Sequence, residues 1–83
     1  MTAARDVVET IAKALVDNPE SVDVAEHDSR DGVRISLITG PGDLGKMIGR
    51  HGRTASAVRV IAEIAADREG QRVIVDFDDE RDD

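Results

Sequence analysis

The chain has 83 residues, a net charge of −7, no cysteine and a single aromatic residue, Phe77. That length bounds it to one small domain whose core must be built from Val, Ile, Leu and Ala, and the lack of cysteine excludes disulfide frameworks and thiolate zinc sites. No run approaches the roughly 18 apolar residues of a membrane span, and the N-terminus lacks the basic and then apolar order of a signal peptide, so a cytoplasmic protein is expected.

Ala4, Val7, Val8, Ile11 and Leu15 recur at helical spacing, which predicts a helix over residues 2–17, capped by Thr2 and stopped by Asn18-Pro19. Alternation around Val22 and Val24 predicts a strand over 21–26. A clearer alternation predicts a second strand over 32–39, with Val33, Ile35 and Leu37 on one face and Arg34, Ser36 and Ile38 on the other. The turn cluster ending in Asp31-Gly32 joins the two as an antiparallel hairpin.

Gly40-Pro41-Gly42 then breaks the strand, and Asp43 stands where it would cap a short helix through Leu44, Met47 and Ile48. Gly49 ends that helix. A longer one is expected over 53–68, with Ala55, Val58, Ile61, Ala62 and Ala65 along its buried stripe. The last strand is expected over 71–77, with Val73, Val75 and Phe77 turned inward, and residues 78–83 are too charged to pack and read as a mobile acidic tail. The order helix, strand, strand, helix, helix, strand makes an α+β domain over 1–77: a three-stranded mixed sheet, helices on one face, the last strand parallel to the second.

Three glycine patterns overlap after the second strand. Residues 40–45 fit G-x-G-x-x-G, but a dinucleotide site needs an unbroken helix, which Gly49 and Gly52 interrupt. Residues 40–46 fit G-x-x-x-x-G-K, but Met47 stands where the magnesium-binding Ser or Thr of a P-loop enzyme belongs, and only Asp76 is available as a second metal contact. The third pattern, Gly49-Arg50-His51-Gly52, agrees with the helix break, since glycines there end one helix, start the next and leave the backbone open to a phosphate. It also lies in a stretch, 44–62, that carries Lys46, Arg50, Arg53 and Arg59 and no acid. His27 and His51 have no cysteine near them and Ser29, Ser36 and Ser56 no nucleophile setting, so neither a metal nor a catalytic site is expected.

The run from Asp43 to Arg59, centred on Ile48-Gly49-Arg50-His51-Gly52, closely resembles the signature of KH domains, and in particular the small bacterial single-KH proteins of the KhpA family. The resemblance implies a type II KH fold and non-catalytic binding of single-stranded RNA, about four nucleotides held by the glycine turn and an adjoining groove. Carried over by position, Gly49, Arg50, His51 and Gly52 hold the RNA backbone, Lys46, Arg53 and Thr54 flank it, Ile48, Ala55 and Val58 line or support the groove, and Arg59 follows on the long helix. No cofactor, membrane or small-molecule substrate is implied. The resemblance further implies an RNA chaperone or post-transcriptional regulator and a KH partner of the KhpB or Jag type. A protein-interaction module is the alternative from another class: Ile38 and Ile74 fall on the sheet face away from the helices and are the candidate interface for a homodimer or a KH partner.

Overall fold

In the computed structural model, which describes residues 2–79, the Thr2 hydroxyl accepts the Arg5 N–H at 3.1 Å and starts helix α1, Ala3–Leu15. Carboxylates from two distant segments complete that end: Glu26 accepts from the backbone N–H and the hydroxyl of Thr2, and Glu69 accepts the Ala3 N–H at 3.0 Å. The first N–H groups of a helix carry partial positive charge, so anions are stabilised there. The Thr2 hydroxyl is the main cause holding the Glu26 carboxyl below its usual pKa.

Pro19 seeds a 3-10 turn, Pro19–Ser21, which takes up Ser21 and moves strand β1 to Asp23–Ser29, later than the alternation suggests. β1 pairs antiparallel with β2, Gly32–Thr39, across the turn at Arg30-Asp31. β3, Val73–Asp79, runs parallel on the other side of β2, so the sheet order is β1-β2-β3. The register sets Val33, Ile35 and Leu37 beside Val73, Val75 and Phe77 on the helix-covered face. Asp78 and Asp79, which the charge pattern assigns to a tail, continue β3 because their backbone pairs with Ile38 and Thr39; the rest of the expected tail, 80–83, lies outside the described residues.

Helix α1 packs on α3, Arg53–Arg68, above the sheet. Their buried faces are Ala4, Val8 and Ala12 on one and Ala55, Val58, Ala62 and Ala66 on the other, small side chains that let the helices approach closely. This tilts both stripes from the expected line: Leu15 and Ile61 turn outward, each 44% exposed, and Ala66 goes inward. Ile35 and Leu37 fill the centre, each worth about 2 kcal/mol of apolar burial. The expected α+β architecture, type II order and mixed sheet are those observed.

Helix α2, Leu44–Ile48, buries Met47 against this core. Asp43 stands at its start, but its side chain does not cap the helix. The carboxylate is only 2% exposed and turns back to the end of α1, accepting the N–H of Asp17 at 3.4 Å, the N–H of Asn18 at 3.0 Å and the Asn18 side-chain amide at 3.2 Å, with the Lys46 ammonium 3.8 Å away. Burial alone would raise its pKa; the hydrogen bonds from Asn18 and Asp17 and the charge of Lys46 outweigh that and leave it lowered.

A carboxyl whose pKa is lowered by folding contributes stability that is complete above its unfolded value, 3.8 for Asp43, and is lost as pH falls through the folded one. Asp43→Asn should therefore lower the melting temperature by roughly 5–10 °C at pH 7 and leave a smaller difference from wild type at pH 3. A gap that stays constant between these pH values in thermal denaturation would show that the charge is not what holds this joint.

Candidate nucleic-acid interface

Helix α2 stops because Gly49 leaves helical geometry, with φ 76° and ψ 173°, a region open essentially to glycine. A β-carbon at Gly49 would run into the Thr54 hydroxyl, so Thr54 closes the inner side of the turn. Arg50–Gly52 make a 3-10 turn held by the Gly52 N–H to the Gly49 carbonyl at 3.1 Å. Within it His51 takes a left-handed conformation, φ 57° and ψ 24°, uncommon for a residue with a side chain and frequent at ligand-binding turns. Gly52 is left-handed as well, φ 72°, but nothing lies within 4 Å of where its β-carbon would be. The turn is thus packed behind Gly49 and open in front of Gly52.

That opening leads to the start of α3. Its first turn holds no acid and its cap position no side-chain hydrogen bond; the Arg53 N–H is taken by the Arg50 carbonyl, so the helix start favours an anion through its partial positive charge rather than through a full set of free N–H groups. Arg50, His51 and Arg53 are exposed around it, and Arg50 and Arg53 make no ion pair among the described residues. Lys46 differs: its ammonium lies 3.1 Å from Asp17 and 3.8 Å from Asp43, and the hydrogen bond to Asp17 is the main cause raising its pKa. It is bound to the frame before any ligand arrives.

Beside the turn a cavity of about 610 Å³ opens between Ile48 of α2, Arg59 of α3 and the β2–β3 ends, lined also by Ser36, Leu37, Ile38, Asp76, Phe77 and Asp78. Of the three apolar groove candidates only half-buried Ile48 faces it; Ala55 and Val58 are buried, supporting the wall from within. Arg59 reaches across to β3, its Nε donating to the Val75 carbonyl at 3.3 Å and its guanidinium carbon 4.9 Å from the centre of the Phe77 ring. Phe77 is the groove residue that periodicity missed, since alternation assigns it to the core and only the register against α3 shows its ring at the groove wall. Two further cavities, about 520 and 510 Å³, lie around Asp31, Gly32 and Arg72 at the other end of β2.

The competing patterns are not assembled. Lys46 of the phosphate-loop pattern faces carboxylates, and Asp76 sits on the outer sheet face in an ion pair with Arg34. Among the described residues no group of three or more His, Cys, Asp or Glu is placed to hold a metal, and no helix is long and apolar enough to cross a membrane. Ile38 and Ile74 share the outer face but not a patch: Ile38 lies opposite Asp23 and Asp78, Ile74 beside Arg34, and the Arg34–Asp76 pair stands between them. The larger exposed aliphatic surface is on α3, where Val60, Ile61 and Ile64 point outward.

The family model described as KhpA/KhpB, KH domain, matches residues 5–77. The RNA-binding protein KhpA of Caldanaerobacter subterraneus subsp. tengcongensis is 48% identical over 72 residues, 87% of this chain and 96% of that one. The RNA-binding proteins KhpA of Streptomyces coelicolor and Mycobacterium bovis are 43% and 45% identical, each over 74 residues and 88% of this chain, covering 92% and 91% of those relatives. A crystal structure of Aquifex aeolicus Era with GDP and aluminium fluoride matches with a TM-score of 0.68 over 95% of this chain and 31% of that chain; at 18% identity the likeness is one of fold.

The two glycines of the turn should respond differently to a methyl group. Gly49→Ala meets both a forbidden φ and the Thr54 side chain and should cost roughly 3 kcal/mol, while Gly52→Ala has open space and should cost roughly 1 to 2 kcal/mol. Urea titrations of the two variants measure the difference, and equal losses would contradict the packing described here.

Proposed function

The chain belongs to the KhpA/KhpB KH-domain family, and from that premise we propose that it binds single-stranded RNA through the Gly49–Gly52 turn, in the cytoplasm, as an RNA chaperone or post-transcriptional regulator. It is a binding protein and not an enzyme. The observation that carries the reading is two exposed guanidinium groups, Arg50 and Arg53, without an ion-pair partner among the described residues, beside a helix start with no side-chain cap in a chain where acids outnumber basic residues 18 to 11. A phosphate placed over Gly52 would meet the positive end of α3 and both arginines without a side chain in the way. Lys46 contributes to the frame more than to the ligand, and Ile48 gives the bases an apolar wall. The relatives named above are RNA-binding proteins, which supports the same reading.

Changing Arg50 and His51 together to Asp tests it. Both side chains are exposed and Asp tolerates the left-handed backbone at position 51, so circular dichroism should be unchanged while affinity for a random single-stranded RNA pool falls roughly 10- to 100-fold at about 0.1 M salt. A folded double variant that binds like wild type would refute the site.

A second reading, association with another copy or with a KH partner of the KhpB or Jag type, is favoured by the outward aliphatics of α3, 52%, 44% and 57% exposed at Val60, Ile61 and Ile64. Two linked four-nucleotide sites would gain in avidity what each lacks alone. In sedimentation velocity the wild-type chain should run as a dimer, Ile64→Glu as a monomer and Ile74→Arg like wild type. Dissociation by Ile74→Arg instead would move the interface to the outer sheet face, and a monomeric wild type would remove self-association.

A further inference from the structure

The sheet has two open edges, β1 and β3, and an arginine from the helix layer reaches each: Arg59 donates to the Val75 carbonyl at 3.3 Å, and Arg5 to the Val24 carbonyl at 3.5 Å. The β1 edge is covered only at that end. Residues of an antiparallel edge strand aim their N–H and C=O groups alternately into the ladder and away from it. Two bonds fix the alternation here. The Val33 N–H goes to the Arg72 carbonyl at 2.9 Å, so Val33 faces away from its β1 partner Asp28, and the Val24 carbonyl is turned to Arg5. Val24, Glu26 and Asp28 therefore point off the edge, while Asp23, Ala25, His27 and Ser29 pair with β2. The backbone N–H and C=O groups of Glu26 and Asp28 meet no partner among the described residues, and such a row is a template for another strand.

The charge on β1 selects among occupants. The strand carries Asp23, Glu26 and Asp28 and no Lys, Arg or Pro, and Arg5, the cation nearest its edge, is already paired with Asp6 and Glu9. Phosphates are repelled there. A second copy paired two-fold about Glu26 would set that carboxylate against its own copy and Asp28 against Val24, where Arg5 is in the way. Lysine or arginine opposite Glu26 and Asp28 is attracted instead, because opposite charges on directly facing residues stabilise a strand pair. We propose that the β1 edge docks an extended, lysine- or arginine-rich protein segment, which joins the sheet as a fourth strand along Glu26 and Asp28 and stops at Arg5. This goes beyond the RNA reading and leaves its site uncovered, since β1 lies across β2 from the groove at β3.

The test uses the full chain and a short peptide alternating lysine with valine, with affinity and residue-resolved amide hydrogen exchange as readouts. The peptide should slow exchange at Glu26 and Asp28. Its form with N-methylated backbone amides has the same charge and no donors, and should bind more weakly by roughly tenfold or more, as should the peptide with glutamate in place of lysine. Asp28→Pro removes an off-edge N–H that β2 does not use, so circular dichroism should be unchanged while affinity falls roughly tenfold. Arg5→Ala gives a reading that needs no proline: it frees the Val24 carbonyl, and protection by the peptide should spread to the Val24 amide. The docking site is overturned if the lysine peptide fails to bind, if its N-methylated form binds equally well, if protection falls outside β1, or if Val24 in Arg5→Ala stays unprotected. Protection of Glu26 and Asp28 that rises with protein concentration alone would give the edge to a second copy and overturn the basic segment.

Discussion

A buried carboxylate at the start of α2 fixes where the glycine turn stands. Helix α2 has five residues, too few to hold a direction by its own hydrogen bonds, so its orientation is set at its ends. At one end Asp43 gathers the N–H groups of Asp17 and Asn18 and the Asn18 amide, tying α2 to the close of α1. Burying a carboxylate is unfavourable unless its oxygens are hydrogen-bonded, and these donors with the nearby Lys46 meet that demand. At the other end Gly49 turns on the Thr54 side chain into α3. The turn is held between two joints, one electrostatic and one steric, and its open face follows from both.

The same joint explains how a chain of net charge −7 presents a basic surface. Arg5, Lys13, Arg34 and Lys46 each lie against a carboxylate, which removes them as free cations. Arg50 and Arg53 project from a stretch without acids and have no ion-pair partner among the described residues. Screening confines surface charge effects to about 8 Å at physiological salt, so a phosphate at the turn responds to these two groups more than to the rest of the molecule. On the proposed reading, net charge opposes the approach of a nucleic acid and local charge governs the contact. Binding of this kind is modest in strength and steep in its dependence on salt.

Much of this was legible in the sequence because helices, strands and turns with strong periodicity or glycine chemistry leave local signals. The bounds of β2 and α3, the parallel placement of β3 and the break at Gly49 follow from alternation, capping and connection rules. What local patterns do not encode is the rotation of a helix about its axis when alanines allow several faces to pack. Val58 and Ala62 are buried as the spacing suggests, while Ile61 and Leu15, the larger aliphatics, are turned out, because close helix contact is made by the smaller side chains. The role of Asp43 was hidden for a related reason. A cap and a tertiary staple ask for the same residue at the same position, and only the approach of Asn18 distinguishes them. Charge and position mark Lys46 and Arg59 as ligand contacts, and both have internal partners that lie far away in the chain.

Helix α3 concentrates these demands. Successive residues on it point about 100° apart, so one helix offers separate directions to separate tasks. Ala55, Val58, Ala62 and Ala66 face the core, Arg59 reaches the β3 edge, and Val60, Ile61 and Ile64 face outward, while its first N–H groups end at the glycine turn. A second copy or a partner seated on the outward aliphatics would leave the turn and the groove uncovered, since they occupy the helix start and the side toward β3. The proposed RNA contact and the proposed association would then be independent in space, and neither would have to be given up for the other. That separation depends on the inward face being built from alanine and valine. A larger side chain at Ala62 would push α3 off α1 and move its start relative to Gly52, disturbing the turn through packing several residues away rather than by touching it.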